Sequence, residues 1–294
     1  LSTMVVEGGY DLGIATDGDA DRIGLVIRDN NGEYVLINGN QIVMIFLNYL
    51  MTRNTELGTL TGNEYIVKTI VTTETIRTIA EAQHIKMYDC FTGFKWIANV
   101  MRENEGKARY LGGGEESYGF LAEDFVRDKD SVSAISLMAE IAAWAKDKGL
   151  NMTDMLIDIY MKYGFSREKG ISLVRKGKSG AEEIIALMKQ FRENPPKEIA
   201  GSPVVTVKDF QSLVETNVAT GETKKLDMPA TSNVLQYYTA DRTKVSVRPS
   251  GTEPKIKFYI EVHDTLASAD EYKATEARAD EKINRIAKEF GITK

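Results

Sequence analysis

A chain of 294 residues is long enough for about two domains, each with a buried core. With 43% hydrophobic and 27% charged residues and no low-complexity tract, it is not a disordered chain. The net charge of −6 argues against a general nucleic-acid binder, so any anionic ligand must be held by local clusters of positive charge.

In chain order, residues 12–16 read as a buried strand running into the acidic loop Asp17-Gly-Asp-Ala-Asp-Arg22. Alternation of Ile23, Leu25 and Ile27 marks a second strand, a turn follows at Asn30-Asn-Gly32, and a third strand lies near 34–37. Apolar positions from Ile42 to Leu50 predict a largely buried helix over 40–51. A β-branched strand at 65–71 precedes a helix capped by Thr72 or Thr73, and a short strand at 86–88 leads to the loop 91–95 and a helix from Trp96. Tyr110-Leu111 enters a glycine-rich loop, 112–119. A long helix then runs over 131–148, with Asp128 and Asp130 at its start and Gly149 as its stop. A helix at 153–162 closes this α/β layer, in which parallel pairing is expected.

The pattern changes near Gly164. A strand at 170–175, a helix boxed by Ser179 and Glu182 and ended by Pro195-Pro196, and a strand at 203–208 follow. Strands at 234–238, 244–248 and 255–262 and a helix capped by Ser268 and Glu271 complete an α+β pattern of helices on one face of an antiparallel sheet.

The single cysteine, Cys90, excludes an internal disulfide, fits a reducing cytoplasm and reads as a core residue. His84 and His263 are too few for a multi-histidine metal site. There is no 18-residue apolar run and no signal peptide, so a cytoplasmic protein without a membrane partner is expected. The start at Leu1 rather than methionine suggests a fragment.

Four loops carry chemistry. In an extended backbone Asp17, Asp19 and Asp21 point to one side, where three carboxylates suit a hard cation such as Mg²⁺ or Ca²⁺. The alternatives are a solvated turn, which needs a less dense set of charges, and an aspartyl-phosphate phosphatase with Asp17 as nucleophile and Asp19 as acid, which gives Arg22 no particular job. Between two strands, Arg248-Pro-Ser-Gly-Thr-Glu-Pro-Lys255 combines a guanidinium, two hydroxyls and a glycine, a set that can ring a phosphate. Gly114-Glu-Glu-Ser-Tyr-Gly119 offers acceptors for sugar hydroxyls, and Thr92-Gly-Phe-Lys95 offers one ammonium; each is weak evidence by itself.

Taken together and in this order, the four motifs resemble those of the α-D-phosphohexomutases, the phosphoglucomutases and phosphomannomutases. The resemblance implies that residues 1–38 are the tail of an α/β domain 2 and that 39–164 form an α/β domain 3 with a mixed or parallel sheet. Residues 165–294 would form an α+β domain 4 of the TATA-box-binding-protein-like type. It implies a phosphosugar substrate whose phosphate moves between O1 and O6 through a phosphoserine and a bisphosphorylated intermediate. Asp17, Asp19 and Asp21 would hold Mg²⁺ and Arg22 would sit beside the transferred phosphate. Glu115 and Ser117 would hold sugar hydroxyls, and Arg248, Ser250, Gly251 and Thr252 the other phosphate, with Lys95 adding charge or proton transfer. Tyr118-Gly119 after Glu-Glu-Ser looks like the phosphoglucomutase branch, with phosphomannomutase or phosphopentomutase specificity as alternatives. The family's nucleophilic serine precedes a histidine, and no Ser-His pair occurs here. The N-terminal domains of the same enzyme are therefore expected partners. The chain alone is expected to bind Mg²⁺ weakly and to be inactive, or to serve as a non-catalytic phosphosugar-binding module.

Overall fold

Alternating apolar residues on one side of a short hairpin build the first sheet. In the computed structural model, which describes residues 1–175, 177–251 and 253–293, a helix α1 (Ser2–Gly8) precedes three strands. These are β1 (Leu12–Thr16), β2 (Ile23–Arg28) and β3 (Tyr34–Ile37), paired antiparallel in the order β1-β2-β3. β2 is the central strand and Ile23, Leu25, Val26 and Ile27 are buried. β1 is not the fully buried strand expected: it lies at the sheet edge and most of it is half-buried. Thr16 pairs with Ile23, so residues 17–22 are the hairpin loop itself. α1 was not foreseen, and its Met4 is 71% exposed.

Asn38 caps α2 (Gly39–Glu56) through a capping box with Gln41, and the helix is buried nearly all round against the elements that follow. These are β4 (Glu64–Thr69), α3 (Thr75–Ala82), β5 (Lys86–Cys90), α4 (Phe94–Asn104), β6 (Arg109–Gly114) and β7 (Phe120–Ala122). α5 (Ser131–Asp147) and α6 (Met152–Tyr163) end the layer. The sheet order is β5-β4-β6-β7, with β4 parallel to both neighbours and β7 antiparallel to β6, so the sheet is mixed. Every residue of β4 is buried, as a central strand covered on both faces requires. Tyr65, Val67, Cys90, Phe94, Ile97 and Tyr110 form its core, and burial pushes the Cys90 thiol pKa up, keeping it an inert packing group.

Two local expectations fail here. Gly112 to Gly114 are not loop but the buried end of β6, which lies so close to α2 that a Cβ on Gly114 would come 2.7 Å from Val43 Cγ2. α3 begins at Thr75 with Glu74, rather than Thr72 or Thr73, at its N-cap; the Thr73 hydroxyl still accepts from Thr75 N at 3.3 Å, whereas the Thr72 hydroxyl accepts from Glu116 N in the loop after β6.

Contacts divide the chain into two compact units, Leu1–Gly164 and Phe165–Lys294. The second unit runs β8 (Phe165–Val174), α7 (Gly177–Glu193), β9 (Glu198–Ile199), β10 (Ser202–Asp209), β11 (Val214–Asn217) and β12 (Thr223–Lys225). It ends with β13 (Leu235–Thr239), β14 (Lys244–Pro249), β15 (Lys255–Asp264) and α8 (Tyr272–Glu289). Its sheet is antiparallel in the order β12-β11-β10-β13-β14-β15-β8, with β9 beside β10. Ile256, Phe258 and Ile260 of β15 are buried at alternate positions, and Phe258 meets both Phe191 of α7 and Phe290 beyond α8. Both helices therefore cover one face. The expected caps are absent: Ser179 lies inside α7, which starts at Gly177, and Ser268 leads a 3₁₀ turn without a side-chain cap bond. Among the described residues no helix is long and apolar enough to cross a membrane.

Candidate functional site

The β5-β4-β6 order places a switch point between β4 and β6, where the chain leaves β4 toward one neighbour and later returns on the other side. Ligands in open α/β sheets bind outside the strand ends at such a point. Lys68 pairs with Gly114 across these strands, so residues 69–72 and the loop 115–119 emerge side by side.

Three sequence-remote loops meet there. Arg22 bridges Gly119 as an isolated antiparallel pair, and Ile23 N donates to Tyr118 O at 3.3 Å, joining the acidic hairpin to the 115–119 loop. Gly93, at φ +112 where a side chain would be strained, donates its N–H to Glu115 Oε1 at 2.7 Å. Lys129 Nζ lies 2.5 Å from Asp21 Oδ2, and Ser131 N donates to Ala20 O at 3.1 Å, so the start of α5 closes on the same loop. Tyr118 and Ala20 both sit at positive φ, +75 and +55. Each left-handed non-glycine residue costs about 1–2 kcal/mol, which the surrounding bonds must offset.

Glu115 is buried, which raises its carboxyl pKa. The Gly93 N–H, Lys129 and Arg22 oppose that shift without cancelling it. Burial also acts to lower the Lys129 pKa, but the Asp21 carboxylate more than reverses this and keeps the ammonium charged. For Asp17 desolvation is the largest single effect and raises the pKa, but the N–H groups of Asp21 and Arg22, at 3.2 and 3.3 Å from Oδ1, together with the Asp21 side chain and the Arg22 charge outweigh it, so its carboxyl pKa is lowered.

The three aspartates share one loop but do not converge. Asp17 turns onto its own backbone, Asp19 is exposed, and Asp21 leans to Lys129. Among the described residues no three carboxylate, thiol or imidazole groups gather as a metal site requires. Arg22 Nε, 3.9 Å from Asp17 and 3.7 Å from Asp21, supplies positive charge in the loop. The donor chemistry nevertheless suits a hard cation, since it is all oxygen, and buried Asp21 Oδ1 has no hydrogen-bond partner among the described residues.

Lys95 is exposed in the first turn of α4, its ammonium 5.5 Å from the Trp96 ring centre. Ser117 is half-buried. In the second unit, Arg248 lies near the end of β14 and Ser250 and Gly251 in the β14–β15 connection, whereas Thr252 lies outside the described residues. Ser250 N donates to Lys255 O at 2.8 Å, and Ser250 Oγ accepts from Glu253 N at 3.2 Å. Arg248 stands directly opposite Lys257, two cations side by side on one face of the hairpin. Lys129 and Lys257 carry no motif; only strand register and the α5 cap reveal them.

The sequence profile described as "Phosphoglucomutase/phosphomannomutase, alpha/beta/alpha domain III" matches residues 38–163. The profile for the C-terminal domain of the same family matches 193–279. A phosphoglucomutase from Staphylococcus epidermidis is 37% identical over 250 residues, covering 85% of this chain and 45% of its own. The chain thus spans about half the length of the curated relatives it matches. A solved phosphoglucomutase/phosphomannomutase family protein from Burkholderia thailandensis shares the fold at TM-score 0.59 and 18% identity, over 99% of this chain and 49% of that one. Another neighbour is Aspergillus fumigatus N-acetylphosphoglucosamine mutase in complex with GlcNAc-6P and magnesium, at TM-score 0.50 and 13% identity, over 98% and 55%. With two domain profiles of one family matched in sequence order, and a fold shared with a solved member, the chain belongs to the phosphoglucomutase/phosphomannomutase family.

Proposed function

We propose that this chain is the phosphosugar-binding part of a Mg²⁺-dependent phosphohexomutase that interconverts hexose 1-phosphate and hexose 6-phosphate, with glucose preferred. The observation that carries the proposal is the meeting of residues 17–22, Gly93 and 115–119 at a switch point. Glu115 and Ser117 would bind sugar hydroxyls, a pair of contacts usable with the sugar in either orientation. Arg248, Ser250, Gly251 and Thr252 would hold the phosphate that does not react, with Lys257 adding charge. Binding there supplies energy for positioning at the reacting end. Arg22 would stand beside the transferred phosphate, and Lys95 would add charge or move a proton. Asp17, Asp19 and Asp21 would hold Mg²⁺, which when bound neutralises charge developing on the transferred group.

The sequence has no Ser-His pair of the kind the family's nucleophilic loop carries, so turnover by this chain alone is not expected. The test is calorimetry with glucose 1-phosphate on the chain itself. Arg248→Ala should weaken binding by about tenfold or more, the loss expected for charge-assisted bonds to phosphate. Unchanged affinity would remove the phosphate role from Arg248.

A further inference from the structure

Behind the 115–119 loop lies a set of polar groups that the proposed contacts to substrate do not use. Thr69 and Thr72 are fully buried at the C-terminal end of β4, their hydroxyls 2.9 Å apart. Both donate to one oxygen of Glu116, Thr69 at 3.1 Å and Thr72 at 3.4 Å from Oε2. The Glu116 N–H returns a bond to Thr72 Oγ1 at 3.2 Å, so side chain and backbone of one residue are held by the same pair.

The threonines are themselves pinned. Fully buried Lys68 reaches the carbonyls of Thr69 and Thr72, each at 3.4 Å. Its charge is balanced by Glu74 at 3.0 Å and Asp89 at 2.9 Å. A buried ammonium is tolerated only when paired in this way. On the loop's other side Gly39 lies so close that a Cβ there would meet Glu116 O at 2.0 Å. The neighbouring carboxylate of Glu115 is turned away to the Gly93 N–H. Two consecutive glutamates thus have different partners, and the strained Tyr118 follows two residues after Glu116.

We propose that Glu116 is a positioning residue, clamped by the Thr69 and Thr72 hydroxyls, and that this clamp sets how Glu115 and Ser117 are presented to the sugar. The proposal rests on the sugar-binding assignment above. The clamp fixes the one conformation in which the loop can bind, so its loss should weaken sugar recognition without touching phosphate recognition at Arg248.

The test compares Thr72→Val, which keeps the shape and removes the hydroxyl, with Thr72→Ser, which restores it. Two readouts are taken on the full chain. One is amide hydrogen exchange at residues 116–118, with β5 amides as reference. The other is the affinity for glucose 1-phosphate relative to inorganic phosphate, followed by NMR titration. Thr72→Val should speed exchange at 116–118 by about tenfold and lower the preference for glucose 1-phosphate by a similar factor, as loss of one or two buried hydrogen bonds implies. Affinity for inorganic phosphate and β5 exchange should stay as in wild type, and Thr72→Ser should recover both readouts. If Thr72→Val does not fold, Glu116→Ala, at a half-buried side chain, makes the same cut. Wild-type exchange at 116–118 in a folded Thr72→Val or Glu116→Ala chain overturns the clamp. Faster exchange together with a wild-type chain that binds glucose 1-phosphate no better than phosphate overturns the sugar assignment and keeps the clamp as a device of the fold.

Discussion

Asp241 shows how much one carboxylate can organise. It accepts from Thr239 Oγ1 at 2.6 Å and Thr243 Oγ1 at 2.9 Å across the β13–β14 turn, and from Lys282 Nζ of α8 at 2.7 Å. Partial burial acts to raise its pKa, but Lys282 and the two threonines hold it well below the ordinary value of 3.8. A carboxyl depressed in the folded state contributes stability above its unfolded pKa and loses it as pH falls toward the folded value. Asp241→Asn should therefore cost about 1 kcal/mol near neutral pH, a modest figure because the side chain is partly exposed. The difference in Tm from wild type should shrink below about pH 4, by thermal melts across pH. A pH-independent difference would assign the effect to turn geometry alone.

Gly39 makes the equivalent point for an element. It opens α2 with ordinary φ, so alanine there would by propensity alone strengthen the helix. The loop 115–119 forbids it, since Glu116 O and Tyr118 N stand 2.0 and 2.8 Å from where a Cβ would be. Gly39→Ala should lower stability by about 1–3 kcal/mol in denaturant titrations, the range for forced overpacking. A more stable variant would show that the loop yields freely. This contact also marks the limit of what periodicity reveals. The helix carrying Ile283 was legible because one buried face repeats at a fixed period, and β2 and the helix carrying Ile42 because they are dense apolar runs, buried on more than one side. Gly112 to Gly114 read as loop because glycine usually marks one, whereas here α2 and β4 leave no room for side chains. The short exposed strand β12, Thr-Lys-Lys, has no apolar pattern to detect. Ser179 and Ser268 suit a cap by residue type, but α7 starts two residues before Ser179 and no side-chain bond forms at Ser268.

At the scale of the molecule, the first unit has two sheets and the second one, and each unit has its own covering helices and its own buried side chains. The piece 165–293, made without the first unit, should show native-like NMR dispersion and cooperative melting; a collapsed, non-cooperative spectrum would show that its fold depends on residues 1–164. The loops of the candidate site were visible in the sequence as dense clusters of charge and glycine. Their mutual contacts were not, because Gly93 to Glu115 or Asp21 to Lys129 is a matter of strand order rather than spacing.

The Arg22–Gly119 bridge binds two of those loops into one block. The pair is in effect a short two-stranded seam whose halves are separated by almost a hundred residues of chain. Anyone grafting the Glu-Glu-Ser loop onto another scaffold would have to carry the β1–β2 hairpin with it. Transplanted alone, the loop would lose the partner that holds Tyr118 in its left-handed turn.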